Sequence, residues 1–196
     1  MKGMKELKIY LFRHGRTYYN EKGIFTGWKD SKLTPKGIEN AKEIAKKLKD
    51  KKFQVAIHTS LSRSKDTLKE VLKYHPECKK IIQDDRIIER SYGFLEGKTH
   101  KKIIEQYGKE KYDKWHRAWD YPPKDGESLK MVEKRVKKFI SWLKKYMKEN
   151  KVNVAISAHG NSIRVFRKIM ENLTIEETCS LEIPYDKYFE YTIKVD

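Results

Sequence analysis

Two short apolar runs in this chain of 196 residues stop at the same dipeptide. Ile9-Tyr10-Leu11-Phe12 runs into Arg13-His14-Gly15, and the run from Val152 to Ala158 ends on His159-Gly160. Continuous apolar segments of this length read as strands buried on both faces of a parallel sheet. Such strands carry the loops at their carboxyl ends to the edge where open α/β folds hold ligands. The spacing therefore predicts that both imidazoles emerge at one sheet edge. A third strand, Phe53 to His58, leads into Ser60-x-x-Arg63 at a helix start, where backbone N–H groups and a guanidinium favour anions. A fourth strand end, after Ile81-Ile82, brings Glu89. Guanidinium groups grip phosphate oxygens bidentately, and a neutral imidazole nitrogen can attack phosphorus. Gly15 is predicted to clear room for the backbone to approach a ligand.

Between these strands lie helical stripes. Thr34-Pro35 opens one as N-cap and N1, with Ile38, Ala41, Ile44, Ala45 and Leu48 on its apolar face. Leu68, Val71 and Leu72 mark the next, and Thr99 to Tyr107 a third, closed by Gly108. Residues 111–126 read as a short helix and a stiff aromatic loop, a lid or pocket wall. Ser128 caps a long helix striped by Leu129, Val132, Val136, Phe139, Ile140, Leu143 and Met147. Thr174-Ile175-Glu176-Glu177 is a capping box, and a last strand begins near Tyr188. Strands alternating with helices predict an α/β fold of three layers, a mostly parallel sheet between helices, in a single domain spanning 1–196.

Composition narrows the partners. A formal charge of +17 raises nucleic acid as a ligand. The excess is mostly Lys scattered along solvated helix faces, such as Lys42, Lys46, Lys137 and Lys144, so no nucleic-acid role is expected. Cys78 and Cys179 stand far apart in no metal-binding or disulfide spacing. No run approaches a membrane span, and no signal peptide is visible. A cytoplasmic protein without a membrane partner is the expectation.

The ordered set of motifs resembles the histidine phosphatase superfamily and, within it, the cofactor-dependent phosphoglycerate mutases. The likeness runs through Arg13-His14-Gly15, Asn20, Phe25-Thr26-Gly27-Trp28, Ser60-x-x-Arg63 and Glu89-Arg90-x-Tyr92-Gly93. It continues through Trp115-x-Arg117, Pro122-Pro123-x-x-Gly126-Glu127-Ser128-Leu129 and Ala158-His159-Gly160-Asn161-Ser162-Ile163-Arg164.

The resemblance implies that His14 is the nucleophile, that Arg13, Arg63 and His159 hold the phosphoryl oxygens, and that Glu89 is the general acid and base. On spacing alone Asp84, Asp85 and Glu96 compete with Glu89; the family likeness selects Glu89. It further implies substrate contacts at Asn20, Thr26, Gly27, Arg90, Tyr92, Arg117 and Asn161. The substrate would be a small phosphorylated metabolite, with 2,3-bisphosphoglycerate as phosphoryl primer, no metal, and a homo-oligomer allowed.

Four departures from the mutase pattern favour water over an acceptor hydroxyl. His100 falls opposite a substrate-binding Lys, with Lys98 and Lys101 as stand-ins, and His116 falls opposite an Arg. Arg16 replaces an acidic residue, and the sequence ends at Asp196, just after its last strand. A metal-independent phosphomonoesterase is the alternative, and a basic nucleic-acid-binding module the remote one.

Overall fold

The computed structural model describes residues 5–195. In chain order the elements are β1 (Lys5–Arg13), α1 (Tyr18–Glu21), α2 (Pro35–Leu48), β2 (Val55–His58), α3 (Ser62–Leu72), β3 (Lys80–Gln83), α4 (His100–Tyr107) and α5 (Lys109–Arg117). Then follow α6 (Leu129–Asn150), β4 (Val154–Ala158), α7 (Gly160–Glu171), α8 (Ile175–Ser180) and β5 (Tyr188–Val195).

The sheet runs β3-β2-β4-β1-β5, with every pairing parallel except the antiparallel β1–β5 edge. Side chains alternate across β1, and the two faces collect different helices. Leu7, Ile9 and Leu11 join Val154 and Ile156 under the apolar stripes of α6 and α7. Tyr10 and Phe12, with Ala56 and Ala155, meet Ile44, Ala45 and Leu48 of α2 and Leu68 and Val71 of α3 on the other face. These are the three layers expected from the sequence. A smaller cluster of Phe25, Tyr92, Leu95, Ile103 and Trp115 packs apart from the sheet.

Local signals explain most boundaries. Thr34 and Ser128 cap α2 and α6 by accepting from Gly37 and Met131 N–H, and the left-handed Lys151 ends α6. One detail differs from expectation, and one short helix was not expected at all. Ile38 points outward, 38 % exposed, because Gly37 takes the buried position that the stripe assigned to it. Helix α1 carries no apolar stripe; it is held by the reciprocal bonds of Thr17 and Asn20. Cys78 and Cys179 are both free thiols. Among the described residues no helix is long and apolar enough to cross a membrane.

What this architecture does for function is a matter of register. β1 and β4 are neighbours paired Arg13 to Ala158, and the His14 N–H donates to the Ala158 carbonyl at 3.0 Å. Both strands therefore release their His-Gly at the same level of the sheet.

Candidate active site

His14 and His159 face each other at that edge, ring centroids 5.1 Å apart. His14 lines a cavity of about 180 Å³ whose walls also include Arg13, Arg63 and Glu89, while His159 is fully buried beside it and the following Gly160 and Asn161 line the wall. The His14 Nδ1 lies 2.7 Å from the Gly15 carbonyl, which requires its proton there and leaves Nε2 with a lone pair. Burial, reinforced by Arg63 and Arg13, holds the ring well below its ordinary pKa, so it is neutral. His159 is likewise kept neutral, by burial first and then by Arg63. Its Nε2 meets the Thr59 hydroxyl at 2.8 Å.

Two buried nitrogens at this end have no hydrogen-bond partner among the described residues: Arg13 Nε and His159 Nδ1. Buried polar atoms are nearly always paired. A tetrahedral oxyanion offers acceptors for both, so these residues fit a phosphoryl group. Arg13 is held by the Ile183 carbonyl at 2.8 Å and by the Tyr185 ring, 4.2 Å from its guanidinium carbon. A Cβ on Gly160 would meet that guanidinium at 3.3 Å, which explains the glycine after His159. Arg63 anchors to the carbonyls of Gly27 and Lys29 at 2.7 and 2.8 Å, and burial lowers its pKa to about 10.

Glu89 is the carboxylate that reaches the cavity from the loop after β3. Its Oε1 accepts from the N–H of Arg90 at 2.7 Å and of Asn161, in the first turn of α7, at 3.1 Å. The three competing carboxylates are engaged elsewhere. Asp84 chelates Arg86, Asp85 accepts from the Ser60 N–H, and Glu96 accepts from the N–H of Trp28.

Asn20, Thr26, Gly27, Tyr92, Arg117 and Asn161 all line the cavity. The Asn161 amide donates to the Tyr92 hydroxyl at 3.0 Å. Arg90 does not line it. Its side chain is fully buried behind the wall, donating to the carbonyls of Trp115, His116 and Glu127. The guanidinium expected to touch substrate is instead spent on these carbonyls, of which that of His116 also accepts from Arg117 at 3.1 Å. Gly15 is also corrected: a Cβ there would collide with the Gly37 carbonyl, so its close approach is to α2 and not to a ligand.

The cavity wall also holds His100 and His116, ring centroids 5.2 Å apart. Burial lowers both pKa values, that of His116 to about 2, with Arg117 adding to each, so neither supplies positive charge. His100 stacks on Phe25 with centroids 4.0 Å apart and shares a hydrogen bond with Tyr112 at 2.8 Å. Lys98, expected as a stand-in, instead donates to the Phe94 carbonyl, and Lys101 is exposed outside the cavity. Of residues 111–126, read as a lid or pocket wall, His116 and Arg117 at the end of α5 line the cavity, and the aromatic loop that follows contributes no lining residue.

Two charged lining residues received no role from the sequence. Arg164, in the second turn of α7, is bound to Asn161 Oδ1 and the Leu181 carbonyl, and burial lowers its pKa to about 10. It was visible in the motif, but a helical Arg carries no signal of which way it turns. Glu182 lies between α8 and β5, where no pattern marks it.

Imidazoles, guanidiniums and one carboxylate gathered at the carboxyl ends of parallel strands define an anion-handling enzyme site. The sequence matches the family model of the histidine phosphatase superfamily (branch 1) over residues 9–194. It is 37 % identical over 180 residues to a 2,3-bisphosphoglycerate-dependent phosphoglycerate mutase of Parvibaculum lavamentivorans, covering 89 % of this chain and 85 % of the relative. In fold it is similar to a phosphoglycerate mutase from Bacillus anthracis, with a TM-score of 0.79 at 23 % identity over 97 % of this chain and 89 % of that one. It is equally similar to a mycobacterial glucosyl-3-phosphoglycerate phosphatase, TM-score 0.79 at 22 % identity over 91 % and 85 % of the two chains. The chain belongs to the histidine phosphatase superfamily, and it is an enzyme of the mutase or phosphatase kind.

Proposed function

We propose that this single-domain enzyme interconverts 3-phosphoglycerate and 2-phosphoglycerate through a phosphohistidine at His14, in the cytoplasm. The observation that carries the reading is the neutral His14, its proton fixed on the Gly15 side, beside two buried donors that lack partners. The relatives named as mutases support the choice of reaction.

In this reading the His14 Nε2 lone pair forms the bond to phosphorus as the bond to the ester oxygen breaks. Arg13, Arg63 and His159 hold the remaining oxygens, where preorganised donors act without reorganising. Glu89 gives its proton to the leaving oxygen and takes one back from the acceptor hydroxyl. Neutrality suits each imidazole: His14 must keep a lone pair, and His159 can donate from Nδ1 when Thr59 donates to its Nε2. 2,3-Bisphosphoglycerate, when bound, supplies the phosphoryl group that loads His14. Arg13 and His159 fit one phosphate of it, and Arg117 and Arg164 are the cations available to the other. The rest of the chemistry asks only for charge that these side chains already carry.

A phosphomonoesterase is the second reading, favoured by the neutral His100 and His116 in the cavity wall beside Arg117. With fewer cations there, a bisphosphate is held less firmly and water competes for the phosphohistidine. One incubation separates the two: protein, 3-phosphoglycerate and a trace of 2,3-bisphosphoglycerate, with 2-phosphoglycerate and free phosphate followed together. Primer-dependent isomerisation with little phosphate establishes the mutase; phosphate without isomerisation establishes the phosphatase. Turnover by His14→Ala at the parent rate refutes both.

A further inference from the structure

Arg135, on α6, takes no part in the cavity wall, yet it applies its whole guanidinium to the loop that carries Glu89. Its Nε donates to Glu127 Oε2 at 3.0 Å. One terminal nitrogen donates to the carbonyls of Arg86 and Ile88, both at 2.9 Å. The other donates to the Glu89 carbonyl and to Glu127 Oε1, both at 3.0 Å. Every N–H that an arginine owns is therefore in use. Glu127 closes the other side, its Oε1 accepting from the Ser91 N–H at 2.9 Å and its own N–H donating to the Ser91 carbonyl at 2.8 Å. The Trp28 indole donates to the same Glu89 carbonyl at 2.7 Å.

This loop needs such a clamp. Between β3 and α4 it forms only two short 3-10 turns, so its carbonyls have no ladder or helix to answer them. The bonds fall at residues 86, 88, 89 and 91, on both sides of the Glu89 side chain, while the side chains of Arg135 and Glu127 are only 19 % and 14 % exposed. Charge-assisted bonds shielded in this way hold geometry firmly. Among the described residues the carboxyl itself is tethered only by the N–H groups of Arg90 and Asn161. Where it stands relative to a leaving oxygen thus depends on where the clamp puts its backbone.

We propose that Arg135, braced by Glu127, is a positioning residue for the proton transfer made by Glu89, and that it acts without touching substrate. The inference rests on the reading of Glu89 as the general acid.

The test uses two esters of nearly the same shape. Phenyl phosphate releases a poor leaving group that gains from protonation, whereas p-nitrophenyl phosphate releases a phenolate that departs unaided. Single-turnover phosphorylation by both esters would be measured for the parent, Glu89→Gln, Arg135→Lys and Trp28→Phe. Glu89→Gln is expected to slow phenyl phosphate far more than p-nitrophenyl phosphate. Arg135→Lys, with three donors in place of five, should show the same signature, changing the ratio of the two rates by about tenfold.

Equal slowing of both esters by Arg135→Lys, or a fall in Tm alone, would make the residue merely architectural and overturn the proposal. Absence of the signature in Glu89→Gln would instead remove the general acid, so the two failures are distinguishable. Trp28→Phe, at a site 49 % exposed, deletes one donor to the Glu89 carbonyl. It should shift the ratio in the same direction by a smaller factor, and it carries the test if Arg135→Lys does not fold; an unchanged ratio counts against the clamp.

Discussion

Acid is expected to unfold this protein through its own active-site histidines. His14 and His159 are 2 % and 0 % exposed, and burial together with Arg63 keeps both neutral in the folded state. In the unfolded chain each titrates near its ordinary value of 6.5. The folded pKa is the lower one, so as pH falls through 6.5 the unfolded state binds protons that the folded state refuses. Stability is complete above that window and declines below it. Integrated from about pH 7 to about pH 5, the linkage amounts to at most about 2 kcal/mol for each histidine, the limit in which the folded ring takes up no proton, or about 4 kcal/mol for the pair. That is a large share of the roughly 5–15 kcal/mol that holds a typical domain together. Urea unfolding followed by tryptophan fluorescence at the two pH values gives the loss directly. A His14→Asn, His159→Asn double variant should lose up to about 4 kcal/mol less than the parent over the same window, even if it starts less stable. Parallel losses in the two proteins would refute the assignment of neutral, buried imidazoles.

Three further outcomes follow from the site. Arg90→Met should cost about 2 kcal/mol of stability, because it strands the carbonyls of Trp115 and Glu127, while KM stays near the parent value; a changed KM at full stability would return Arg90 to the substrate. Inorganic phosphate, paired with Arg13 Nε and His159 Nδ1, should raise unfolding free energy by about 2.7 kcal/mol at a hundredfold excess over its Kd, and Arg13→Gln should abolish most of that gain in a thermal-shift titration. His116→Arg should tighten binding of esters with a second anionic group by about tenfold, as a charge-assisted bond would, without affecting singly anionic esters; equal effects on both would mean that the wall at His116 does not read a second anion.

The parts of this protein that were legible in its sequence are those set by local rules. Apolar runs that end in His-Gly, caps such as Thr34 and Ser128, and stripes at helical spacing each depend on neighbours within a few residues. They were enough for the α/β layers and for the meeting of His14 with His159, since adjacent parallel strands release their ends at one level. Tertiary structure alone decided the directions of long side chains and the charge of the buried rings. Arg90 and Arg164 both sit within the motifs, but only packing shows that the first turns to the carbonyls behind the wall and the second lines the cavity. Asp84, Asp85, Glu89 and Glu96 are interchangeable by spacing, and the partners of the other three single out Glu89. His100 and His116 could have been cations, but their desolvation makes them neutral. A pattern of residues records where the backbone goes, whereas hydrogen-bond partners and desolvation belong to contacts between segments far apart in the chain.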